Sequence, residues 1–319
     1  MFVKTRFMIV SFSDNIFKQI VGVSFFNRWR LMAYFLIAEI AYTLHHTLGM
    51  DWILLPVVPV TILGGALAIF LGFRNSSAYD RWWEARKVWG GIVNDSRSFT
   101  VFVLEFFTAN SGAESEMAEM QKRLVYRHLG WIYILKNQLR KKPVEDYVAK
   151  WFNQADRALL ANKANVATQI LRLQSADLKK AKLNGWINDY EFVEINRMIT
   201  RFYDEQGKCE RIKNTIFPFY YNYFTRLFLW LFMLSLPFAL VGMMGWISLP
   251  LSIAISFVFG ILEKTGIVTE NPFEGRAADT PMTSLCRTIE IDLLQMMGEE
   301  NIPSPIANSY GRFGVVYKS

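Results

Sequence analysis

Two cysteines and three histidines are all that 319 residues contain of the softer metal ligands. Cys209 and Cys286 lie far apart in the sequence, and neither CxxC nor HExxH spacing occurs, so neither a metal site nor a disulfide framework is expected. His45 and His46 stand beside no further ligands and read as a polar helix end. No glycine-rich phosphate loop and no nucleophile next to a base is visible, so no enzymatic activity and no cofactor are expected. Alternating β-branched runs and fixed-period repeats are also missing, which argues against sheets and solenoids.

The scarcest feature is charge within two long segments. Trp52 to Phe73 is a run of 22 uncharged residues, enough to cross a hydrocarbon core of roughly 30 Å as a helix. Leu227 to Leu262 is a run of 36, too long for one crossing and broken by Gly242, Gly245 and Pro250, which predicts two helices joined by a tight turn. A fourth span runs from Leu31 to about Thr47, apolar apart from Glu39 and the two histidines near its end. Glu39 is either a partner of another helix or an interfacial residue, and the structural role is favoured.

Against these absences stand 35 basic and 28 acidic residues, a formal charge of +7. Every Lys and Arg falls outside Leu31 to Phe73 and Leu227 to Leu262. Arg28, Arg30, Arg74, Arg81 and Arg226 crowd one side, so both termini and the middle of the chain are expected in the cytoplasm. Basic helix ends facing anionic lipid account for the charge, and no nucleic-acid partner is needed. The start, Met1 to Phe12, has no signal-peptide pattern, which suits a multi-pass inner-membrane protein.

The expected organisation is all-α: a cytoplasmic segment 1–30, a transmembrane hairpin 31–73, a cytoplasmic helical bundle 74–226, a second transmembrane hairpin 227–262 and a cytoplasmic segment 263–319. Arg81 to Phe107 suits a long helix continuing from the second span, broken by Thr108-Ala109-Asn110-Ser111-Gly112. Glu114 to Arg140 carries acids early and bases late, as the helix dipole favours, and Lys141-Lys142-Pro143 ends it. Ala155 to Leu173 and Asp189 to Gln206 are further helices, separated by a turn at Asn184-Gly185.

On the second span, Gly65, Ile69 and Phe73 recur every fourth residue and form one shallow stripe. Such a stripe suits a narrow apolar pore in a ring of subunits, or ordinary lipid-facing surface. Trp82 and Trp83 read as interfacial anchors or as packing for this helix. Arg74, Arg81, Glu84 and Arg86 either recruit ions or pair with one another and with Glu210, and pairing is favoured. Trp89-Gly90-Gly91 suggests a close helix contact.

The block Phe73-Arg74-Asn75-Ser76, with Tyr79, Arg81, Glu84-Ala85-Arg86 and Trp89-Gly90, resembles the signature of the prokaryotic bestrophin family. The likeness recurs in order at Cys209-Glu210-Arg211 with Pro218 following, at Pro237-Phe238-Ala239-Leu240-Val241-Gly242, at Asn271-Pro272-Phe273 and at Thr288-Ile289-Glu290, covering roughly Arg28 to Gly298. It implies a homopentameric channel with an axial pore, a membrane neck at Gly65, Ile69 and Phe73, and a cytoplasmic aperture at Tyr190 flanked by Asp189 and Glu191. Gly65 departs from the family, which usually has a bulky aliphatic there. Animal members bind calcium through acids after the Asn-Pro-Phe block, but Glu274-Gly275-Arg276-Ala277-Ala278-Asp279 has few acids and a base, so calcium gating is not expected.

The permeant species implied are small monovalent ions. Phe73 offers an electropositive ring edge and the stripe has no acid, which favours chloride-like anions. Asp189 and Glu191, repeated around a ring, would instead favour cations. A non-conducting membrane scaffold that docks a soluble partner is the reading from another class.

Overall fold

The computed structural model describes residues 8–11, 22–25, 27–109, 112–215, 219–276, 279–307, 309–310 and 316–318. Asn110, Ser111, Pro218, Ala277 and Ala278, named above, lie outside these residues. Ten helices, α1 to α10 in chain order, carry the described architecture. α1 is Arg28–Tyr42, extended by a π-helical turn at Thr43–Thr47, and a 3₁₀ turn at Asp51–Ile53 leads into α2, Val57–Glu105.

α2 is continuous over 49 residues, about 74 Å at the standard rise. It passes from the uncharged run into the polar segment with no proline in between, so nothing in the chain interrupts its hydrogen-bond ladder. Two packing layers therefore share one rod. The upper layer holds α1, the first half of α2, α8 (Phe219–Met244) and α9 (Ser248–Thr269). Their core is Tyr34, Val60, Leu67, Leu71, Leu229, Phe232, Met233 and Leu236.

α8 and α9 form a hairpin. Gly245 adopts φ +52° and opens a 3₁₀ turn, Gly245–Ile247, at the centre of the uncharged run. Phe232 then meets Phe259 with ring centroids 4.9 Å apart. The buried face of α9 is built from small residues at four-residue intervals, Ser248, Ser252, Ser256 and Gly260. Small side chains let backbones approach where lipid gives helices no hydrophobic reason to associate. At Gly260 a Cβ would lie 2.5 Å from the Tyr34 hydroxyl, so α1 lies directly on this position.

The lower layer packs α3 (Glu114–Leu139), α6 (Val166–Leu183), α7 (Asp189–Asn214) and α10 (Met282–Met296) around the second half of α2. Trp89, Phe99, Trp131 and Phe202 are fully buried there, and burial of each large side chain contributes about 1.5–3 kcal/mol. Trp131 and Phe202 rings lie 5.1 Å apart, and the indole N–H donates to Gln206 Oε1 at 3.1 Å. Arg127 forms a bidentate pair with Asp156, 2.6 and 2.7 Å, and a 2.6 Å bond to Asp177, all three buried.

Three features depart from the sequence expectations. Ala155 to Leu173 is two helices, α5 (Gln154–Leu160) and α6, because Asn162 turns left-handed at φ +58° and Asn165 caps α6 through Thr168 N–H. α4 (Glu145–Trp151) is a short helix that periodicity does not announce, and α7 runs eight residues beyond Gln206. Finally, β1 (Met8–Ser11), β2 (Ser309–Tyr310) and β3 (Val316–Lys318) form a small antiparallel sheet in the order β1-β3-β2, so the chain is helical but not purely so. Strands of two to four residues paired between the chain's two ends leave no local pattern.

The α1–α9 contact is testable: Gly260→Leu forces the two helices apart and costs about 2–4 kcal/mol, read as a lower unfolding temperature in detergent. An unchanged temperature would contradict the contact.

Candidate pore-lining surface

α2 buries one face and exposes the other throughout the upper layer. Val60, Gly64, Leu67, Leu71, Arg74 and Ala78 point into the bundle at spacings of three and four. On the opposite face Val58, Ile62, Ile69 and Phe73 are between 64% and 69% exposed. An apolar stripe of this length needs lipid, another subunit or a dry pore against it. Gly65 shares the open side, since a Cβ there meets nothing within 4 Å. Together with Gly64 and Ala68 it also lines an apolar groove of about 460 Å³ against Phe232 of α8 and Phe259 of α9.

Directly below Phe73 the helix is pinned. Arg74 is 1% exposed and donates to the Glu263 carbonyl at 3.3 Å and to Glu270 Oε2 at 3.2 Å. Asn75 Nδ2 donates to the Leu262 carbonyl at 3.0 Å. Gly266 leaves room for both, as a Cβ there would sit 2.3 Å from Asn75 Oδ1. Glu263 in turn accepts from Arg30 of α1 at 2.9 Å, and Asn222 of α8 donates to Glu270 at 3.3 Å. Four helices meet in this knot, and it consumes the charge of Arg74.

Farther down, α7 runs antiparallel to α2. Arg81 donates to the Ile212 carbonyl, Arg211 pairs with Glu84, and Arg201 pairs with Asp95 at 3.3 Å. Arg74, Arg81 and Glu84 are thus engaged, but by α9 and α7 rather than by one another, and Glu210 accepts from Gln206 and Asn165 instead. Gly91 supplies the close contact, with Glu205 Oε1 2.4 Å from where a Cβ would stand. Burial, reinforced by the nearby Asp95, pushes the Glu205 carboxyl up to about 8. Nearby, His128 Nε2 shares a 2.8 Å hydrogen bond with Ser96 Oγ, and burial holds its ring neutral down to about pH 3.

Tyr190 is 89% exposed in the first turn of α7. The antiparallel pairing brings this end of α7 to the end of α2, where Thr108 N–H donates to the Trp186 carbonyl. Tyr190 therefore stands roughly 50 Å along the helix from Phe73. Its two acidic neighbours are both engaged. Asp189 lies 2.5 Å from Lys182 Nζ, and Glu191 closes a capping box with Asn188. Lys182, which sequence reasoning did not single out, is the partner of Asp189. Glu274 pairs with Lys213 at 2.6 Å and Asp279 accepts from the Arg276 N–H at 2.9 Å. Cys209 and Cys286 are free and buried, and Glu39 accepts from Thr43 of the π-helical turn that extends its own helix, at 3.5 Å. Tyr79, Trp82 and Trp83 form one aromatic cluster on the rim of α2.

The family model of the bacterial and fungal bestrophins matches residues 6–295. The chain belongs to this family. It is 34% identical over 250 residues to the voltage-dependent anion channel-forming protein YneE of Escherichia coli K12, covering 78% of this chain and 80% of that one. The voltage-dependent anion channel-forming protein mll4386 of Mesorhizobium japonicum is 30% identical over 244 residues, 76% of each. Among solved structures, a bacterial bestrophin homolog from Klebsiella pneumoniae superposes with a TM-score of 0.78 at 29% identity, over 86% of this chain and 99% of that one. This bestrophin is accordingly a membrane protein.

Two outcomes follow from the polar contacts. Arg74→Met strands the Glu270 carboxylate and costs about 3–5 kcal/mol, whereas Arg74→Met with Glu270→Gln recovers most of it, as read by thermal unfolding in detergent. Glu205 binds a proton in the folded protein that it has lost when unfolded between its ordinary value and about 8, so it makes stability fall as pH rises through that window. Glu205→Gln therefore flattens the pH dependence and raises the unfolding temperature at pH 9 by roughly 3–6 °C. Asp95, Arg201 and Lys208 face the same carboxyl and stay in place in that comparison.

Proposed function

We propose that this bestrophin is a homopentameric channel for small monovalent anions of the chloride type. In this reading α1, the upper half of α2, α8 and α9 are four membrane crossings in two hairpins, 31–73 and 227–262, in the cell inner membrane. The segment 74–226 forms a cytoplasmic bundle, and both termini lie on that side. Five copies of α2 surround the axis, Ile69 and Phe73 line the neck, and Tyr190 rings the cytoplasmic aperture.

The observation that carries this reading is the exposed apolar stripe of α2 ending at Phe73, with the neighbouring Arg74 buried and paired. Such a neck passes an ion by partial dehydration past weakly electropositive ring edges, with no fixed acid to attract cations. Gly65 leaves the first ring wide and makes Ile69 and Phe73 the narrow ones. The relatives named above as anion channel-forming proteins support the same sign. A cation channel of the same fold would rest on Asp189 and Glu191. Lys182 and Asn188 already engage both carboxylates, which weakens a negative ring there.

Phe73→Ala tests the neck. In purified, reconstituted protein it raises single-channel conductance roughly two- to five-fold. Unchanged conductance would remove Phe73 from the pathway, and absence of any current from the unsubstituted protein would favour a scaffold.

A further inference from the structure

The exposed face of α2 does not end at Phe73. At about 100° per residue, the direction of Asp80 falls within roughly 20° of both Ile69 and Phe73, and about 120° around the helix from Arg74. Asp80 is exposed, and among the described residues no hydrogen bond or ion pair engages its carboxylate. We propose, resting on the pore reading above, that Asp80 sets the asymmetry of the anion current from the cytoplasmic mouth of the neck.

The neighbouring charges single this residue out. Glu84 is paired with Arg211, Asp95 with Arg201 at 3.3 Å, and Arg74 with Glu270 at 3.2 Å. Arg81, next to Asp80 in the chain, turns away to the Ile212 carbonyl of α7. Lys87 is exposed on the same face, seven residues farther on. At the helical rise Asp80 stands roughly 10 Å beyond Phe73, and Lys87 roughly 20 Å. The Debye length is about 10 Å at 0.1 M salt, so Phe73 feels the Asp80 charge while that of Lys87 is largely screened.

The level suits a fixed charge. Asp80 shares its turn of α2 with Tyr79, Trp82 and Trp83, the aromatic cluster on the rim, where a membrane helix passes from hydrocarbon into water. The neck at Ile69 and Phe73 carries no acid, so the ion is dehydrated away from any carboxylate. Five Asp80 carboxylates just inside that neck lower the concentration of anions gathering there. Anions leaving the cytoplasm meet the ring before the neck, and anions arriving from outside meet it afterwards. Efflux is therefore held back more than influx, and the current rectifies.

Single-channel currents of reconstituted full-length protein, compared at equal and opposite voltages in symmetric KCl, test this. Asp80→Asn raises the efflux current about two-fold or more in about 0.1 M KCl, and the gain disappears at about 1 M, where the Debye length is about 3 Å. Cys209 and Cys286 are buried, so Asp80→Cys presents the one exposed thiol among the described residues. Asp80→Cys behaves as Asp80→Asn, the negatively charged sulfonatoethyl methanethiosulfonate restores the rectification, and the positively charged trimethylammonium reagent raises efflux further. A merely structural role would not follow the sign of the added charge. Unchanged currents in Asp80→Asn and in both modified forms, with Phe73→Ala still raising conductance, overturn the role of Asp80 and leave the pore reading intact. Absence of current, or reversal at the potassium potential, in the unsubstituted protein overturns the pore reading and the role of Asp80 with it.

Discussion

Arg74 is the residue on which the orientation of the long helix turns. A guanidinium at 1% exposure is tolerable only with its partners in place, and those partners come from α9, while α1 and α8 hold the same two glutamates. Because side chains on a helix are fixed relative to one another, pinning Arg74 inward sets Ile69 and Phe73 outward. The knot thus determines which face of α2 is left for a pore or a neighbour. It also removes from the stripe the one charge that its sequence would otherwise place beside Phe73.

The two layers of the molecule are held by different physics, and α2 has to satisfy both. In the upper layer the contacts rely on glycine and serine positions of α9 and on the fit of Gly64 against Phe232. In the lower layer they rely on burial of large aromatics around Trp131 and Phe202 and on buried ion pairs such as Arg127 with Asp156. A single uninterrupted rod through both couples their positions. No break in α2 separates Gly91, where Glu205 of α7 approaches, from Phe73.

Much of this was legible from charge and helix breakers. The uncharged runs marked α2, α8 and α9, Gly245 marked the hairpin turn, and Lys141-Lys142-Pro143 marked the end of α3. The bestrophin resemblance through Phe73-Arg74-Asn75-Ser76 agrees with the family match. What stayed hidden were partners distant in sequence or set across a turn. Arg74 meets residues nearly two hundred positions away, and Lys182 meets Asp189 across a turn. Glu270, eight residues beyond the 36-residue run, was the available signal that a charge awaited Arg74. The break at Asn162 and the sheet joining the chain ends depend on single backbone angles and long-range pairing, which periodicity does not encode.

The central claim is that an uncharged, aromatic-edged neck on α2 passes anions. The reversal potential of purified protein in a planar bilayer under a KCl gradient addresses it most directly. The account predicts a shift toward the chloride equilibrium potential, whereas a shift toward the potassium potential would contradict it and place selectivity at the acidic residues around Tyr190.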